Sequence, residues 1–165
     1  MSVQSIIDTL QKIAQLHQSL LNISEMKTDV LKKGDTDELQ KLLKQEQKHA
    51  QAINQLENAR LGLVEKWGRE KGIDSSSLTV SEMLDNHLEG PEKRDLEDVT
   101  VQLAEVLVKL KQQEDLNQQL TQQSLQFIQL SMDMINPGIK NINYGVKHTK
   151  QASQTSNRSV FDSKA

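Results

Sequence analysis

The chain has 165 residues, 35% hydrophobic and 26% charged, which suits one domain with a modest core and is too apolar for generic disorder. Aromatic residues make up 2%, cysteine is absent and the net charge is −3. That balance excludes a base-stacking platform, a basic face for phosphate backbones, disulfides and thiolate metal sites.

The first helix is expected from about Ser2 to Lys33. Val3, Ile6, Ile7, Leu10, Ile13, Ala14, Leu20 and Leu21 recur at helical spacing and mark one face, with His17 and Ser24 on the same stripe. Leu16, Ile23 and Val30 widen that stripe, so it should meet more than one neighbour. Gly34 is a stop, because glycine takes the left-handed cap without a Cβ penalty. Asp35 with Glu38 three residues on is a capping-box-like restart, so KKGDTDEL reads as a tight turn between antiparallel helices.

The second helix is expected to end at about Lys71, before Gly72. Its stripe is Leu39, Leu42, Leu43, Ala50, Ile53, Leu56, Leu63, Val64 and Trp67, interrupted by Glu46 and Arg60. The serine-rich linker GIDSSSL leads to Thr79-x-x-Glu82, a second capping box, and to a small apolar face of Val80, Met83, Leu84 and Leu88. This piece reads as a short bridging helix. Gly90-Pro91 resets the chain, and no glycine or proline follows until Asn136-Pro137-Gly138.

The long helix between these stops carries Leu96, Val99, Leu103, Val106, Leu107, Leu110, Leu120, Phe127, Ile128 and Ile135, with Gln113, Glu114 and Asn117 weakening the middle. Its end is dense: Phe127, Ile128, Leu130, Met132, Met134 and Ile135 cover more than one face. Such a surface either packs in the core or receives an amphipathic helix from another protein, for which adaptable Met side chains are suited. Glu46, Arg60 and Asn117 place polar groups at seam positions. They are expected to be buried with partners across helices, where they can set register.

Residues 137–165 hold five basic side chains against Asp162 alone, so the overall −3 leaves the rest of the chain at −7. Their Ser, Thr, Asn, Gln and Lys composition predicts a disordered basic tail. The predicted fold is therefore all-α: an elongated antiparallel bundle of three long helices and one short bridging helix over 1–136, followed by that tail.

Little here carries covalent chemistry. Glu46-x-x-His49 matches one half of a di-iron motif, but no second copy exists, and the remaining histidines form no pair at helical spacing. No glycine-rich loop follows a strand. MSVQSIIDTLQK lacks the basic and apolar regions of a signal peptide, and no segment approaches the roughly 18 apolar residues of a membrane span. The expectation is a cytosolic, non-enzymatic protein with no cofactor, no nucleic-acid partner and no stable membrane insertion.

Taken in order, several motifs resemble one family across nearly the whole chain. They are the first-helix heptads, KKGDTDELQKLLKQEQ, Leu56-Glu57-x-x-Arg60, the TVSEML helix, Asn117, and a polar tail with Tyr144-Gly145 and a terminal Phe-Asp-x-Lys-Ala. Together they look like FlgN, the flagellar export chaperone, in its Gram-positive form. The resemblance implies binding of the C-terminal helices of hook–filament junction proteins, protection from premature assembly, and delivery to the export gate. The cargo surface would be Asn117, Leu120, Ser124, Phe127, Ile128, Ser131, Met134 and Ile135, with Tyr144 and Gly145 meeting the gate. Without cargo, a homodimer over the same surface is expected. The alternative is a coiled-coil protein that only self-associates.

Overall fold

The computed structural model describes residues 3–74 and 78–135. The linker serines 75–77, the Asn136-Pro137-Gly138 stop and the basic tail with Tyr144 and Gly145 lie outside the described residues. Helix α1 spans Gln4–Lys33, α2 Thr36–Lys71, α3 Val80–Glu82 and α4 Gly90–Ile135. Between α3 and α4 lies a π-helical turn, Met83–His87. Among the described residues there is no strand.

The punctuation in the sequence becomes geometry at each joint. Gly34 has φ +70°, and the N–H groups of Gly34 and Asp35 donate to the carbonyls of Leu31 and Val30. Gly72 (φ +71°) and Ile73 repeat the pattern on Arg69 and Gly68. Both are Schellman-type ends, which satisfy carbonyls that a helix terminus would otherwise leave open. Asp35 accepts from the Glu38 N–H at 3.0 Å and Thr79 from that of Glu82 at 3.1 Å, so both expected caps are made. Acidic Asp37 and Glu38 begin α2 and basic Lys32 and Lys33 end α1, each complementing the helix dipole.

By Cα packing the chain divides into two units, meeting at Leu120 and Thr121. In the first, α1 and α2 form an antiparallel hairpin, with Lys27 reaching Glu46 and Ser19 reaching His49. Helix α4 runs parallel to α1, since its partners there keep a near-constant offset: Glu114 meets Ser24 and Lys27, and Asn117 meets Ser24. The three long helices thus run up, down and up.

An apolar core sits where α1 begins, α2 ends and α4 begins. Val3, Ile6, Ile7 and Leu10 pack there with Val64, Trp67, Leu78, Met83, Leu88, Leu96 and Val99. Trp67 is its largest member, and His87 meets the indole edge-on at 6.3 Å between ring centroids. The π turn is a departure from the single short helix expected. It puts Met83 fully inside, while the extended Leu88 that ends the turn is also buried. On α2, Leu42, Ile53, Val64 and Trp67 are buried, whereas Leu43 and Ala50 of the expected stripe face solvent.

The second unit contains the described residues Thr121–Ile135, all within α4. None of them is buried.

Candidate helix-binding surface

Seven residues are close to two helical turns, so side chains that far apart share a face. In the second unit Ile128 and Ile135 form one such pair and Leu125 and Met132 another, while Phe127, Leu130 and Met134 follow one another at spacings of three and four. Gln126, Gln129 and Asp133, also three and four apart, hold one polar face, and the apolar groups spread over the rest of the circumference. All are open: Phe127 is 70% exposed, Ile128 52%, Met134 77% and Ile135 84%. So wide an apolar surface on one helix is normally covered by other elements. Ser124 is exposed, and Ser131 turns its hydroxyl onto the Phe127 carbonyl at 2.9 Å, which leaves its small side chain as a low point in the surface.

Asn117 and Leu120 belong to the first unit and have a different setting. Leu120 is half-buried, and Asn117 is 3% exposed. The Asn117 amide donates to the Ser24 carbonyl at 2.8 Å and to the Ser24 hydroxyl at 3.0 Å, and its carbonyl accepts from the Thr28 hydroxyl. Gln113 donates to the same Thr28 hydroxyl, and Ser24 donates to Glu114. Asn117 is thus occupied inside the protomer, as a seam residue should be, and presents no free amide from the surface expected of it.

Lys27 completes this polar layer. Its ammonium lies 2.5 Å from Glu46 on α2 and 2.9 Å from Glu114 on α4, so one cation ties three helices. Burial by itself pulls the Lys27 pKa down, but hydrogen bonds and charge from Glu46 and Glu114 outweigh it and hold the group above the ordinary lysine value. Lys27 was not singled out in the sequence, although Ser24, Lys27 and Thr28 stand at i, i+3 and i+4 and extend the α1 stripe. Among the described residues no buried side-chain nitrogen or oxygen lacks a partner.

Of the other seam groups expected to pair across helices, Glu46 does so and Arg60 does not: its guanidinium binds Glu57 of its own helix at 2.8 Å. The difference is reach. Glu57 stands one turn away on the same face, where a short intrahelical pair forms at little entropic cost. The Glu46-x-x-His49 string likewise separates. While Glu46 holds Lys27, the His49 Nδ1 donates to the Gln45 carbonyl, which leaves Nε2 to accept from Ser19 at 2.8 Å. His17 turns its Nδ1 onto the Ile13 carbonyl of its own helix. Among the described residues no three His, Cys, Asp or Glu side chains gather as metal ligands. No described helix is long and apolar enough to cross a membrane. A cleft of about 580 Å³ between α1 and α4 is lined mainly by amides and charges, with Gln11, Gln15 and Gln18 facing Gln102, Glu105 and Lys109.

The family described as FlgN protein matches residues 1–152. The chain belongs to the FlgN family. That membership implies a flagellar export chaperone, and it covers every described element of the fold. The chain is also 37% identical over 165 residues to the uncharacterized protein YvyG of Bacillus subtilis (strain 168), spanning the whole of both. No solved structure matches. This FlgN-family chain carries two distinct surfaces on α4: a polar layer used up internally and a stretch whose apolar side chains are exposed.

Proposed function

We propose that this FlgN-family chain is a cytosolic export chaperone that takes the C-terminal amphipathic helices of hook–filament junction proteins on Phe127–Ile135. By covering those helices it prevents premature assembly, and it then hands the cargo to the export gate of the flagellar type III machinery. The observation that carries this reading is the exposure of Phe127, Ile128, Leu130, Met134 and Ile135 on one continuous helix. A client helix laid against it would bury apolar surface that the protomer leaves wet, at about 25 cal/mol for each Å² removed from water. Met132 and Met134 can repack against related but unequal helices, which suits a chaperone with more than one client. Ser124 and Ser131 would let a client backbone come close, and Leu120 would border the contact. Tyr144 and Gly145 are proposed as the gate contact, in a tail whose positive charge contrasts with the acidic remainder of the chain.

The seven-residue spacing of Ile128 and Ile135 also suits a second copy of the same helix, which favours a cargo-free homodimer over this surface. Light scattering with and without a junction-protein C-terminal peptide separates the two roles. A chaperone gives a one-to-one complex with the peptide, replacing any self-associated form. A protein that only self-associates keeps its mass when peptide is added. Deleting residues 139–165 should leave peptide binding intact and impair export. Loss of peptide binding on that deletion would move the cargo site into the tail.

A further inference from the structure

Two kinds of contact hold α4 along the first unit. From Leu96 to Leu110 the helix contributes apolar side chains: Leu96 and Val99 are buried, and Leu103, Val106 and Leu110 are half-buried. From Lys111 to Leu120 Asn117 alone is buried and Leu120 is half-buried, while Gln113, Glu114 and Asn117 make hydrogen bonds to α1. Apolar burial yields its full transfer free energy. A hydrogen bond or buried ion pair yields only the difference between a protein partner and water.

The layer is also built so that α4 can leave without stranding a charge. Lys27 keeps Glu46 on α2 when Glu114 departs, and Glu114, already 43% exposed at its side chain, returns to water. Asn117 regains solvent for its amide in the same movement.

We propose that Lys111–Leu120 is a releasable clasp: this stretch of α4 leaves α1 and returns as a unit, pivoting past Leu110, while the apolar base and the α1–α2 hairpin stay folded. Release uncovers Ser24 and Thr28 on α1. The proposal does not depend on which client the protein carries. It assigns the polar layer a conformational role besides that of setting register.

A helical segment without tertiary packing is marginal in water, so release is read as backbone hydrogen exchange. The experiment is exchange of the full chain followed by mass spectrometry at peptide resolution. Amides of 111–120 should exchange about tenfold or more faster than those of 96–107. Glu114→Gln keeps the side-chain shape and leaves the Lys27–Glu46 pair in place. It should speed exchange of 111–120 by about threefold to tenfold and leave 96–107 unchanged. A single rate across 96–120 in the unaltered protein would overturn the clasp. So would a Glu114→Gln variant that changes both stretches alike or changes neither.

Discussion

Lys27 is the residue on which three helices converge, and its titration has a defined sign. The carboxylates of Glu46 and Glu114 hold its folded pKa above the ordinary lysine value, against the opposing pull of burial. Its ion pairs therefore contribute fully below the unfolded lysine pKa and are lost as pH climbs through the raised folded value. Lys27→Met should lower the urea midpoint at neutral pH, and the gap between the two proteins should shrink in that alkaline window. A gap that stays constant with pH would mean that the ion pairs hold nothing. Trp67 makes the opposite kind of contribution, since it is 2% exposed among aliphatic side chains. Trp67→Ala should cost about 3–5 kcal/mol of unfolding free energy, measured by denaturant titration followed by circular dichroism.

At the scale of the element, the joints decide the order of helices. Asp35→Ala removes the side-chain acceptor at the start of α2 and should cost about 1 kcal/mol. Gly34→Ala forces a Cβ into φ +70° and should cost about 1–2 kcal/mol. Thermal unfolding of the two variants beside the unaltered protein checks both values. These joints were legible in the sequence because Gly34, Asp35, Gly72, Thr79 and Gly90-Pro91 act locally, through backbone freedom and caps that need no distant partner. The π turn at Met83–His87 was not legible, because what it achieves is tertiary: it fits Met83 and Leu88 into a core around Trp67. The seam was read in part. Glu46 and Asn117 stood out as polar residues on apolar stripes and do pair across helices, whereas Arg60 had an acid one turn away and took it. Lys27 escaped notice because a lysine at a stripe edge ordinarily extends into water. Only the arrival of Glu46 and Glu114 from two other helices makes it interior.

At the scale of the whole molecule, the FlgN chain divides its apolar surface between two uses. In the first unit it closes a core around Trp67, and in the second it leaves Phe127 through Ile135 open. The dense apolar end of α4 could be read from the sequence, but exposure could not, since composition alone does not tell a covered face from an uncovered one. The most direct test is calorimetric titration of the full chain with the C-terminal helical peptide of a hook–filament junction protein. We predict one-to-one binding, weakened about tenfold or more by Phe127→Asp or Ile128→Asp while the helical signal is unchanged. Unaltered affinity in both folded variants would contradict a client site on this stretch of α4.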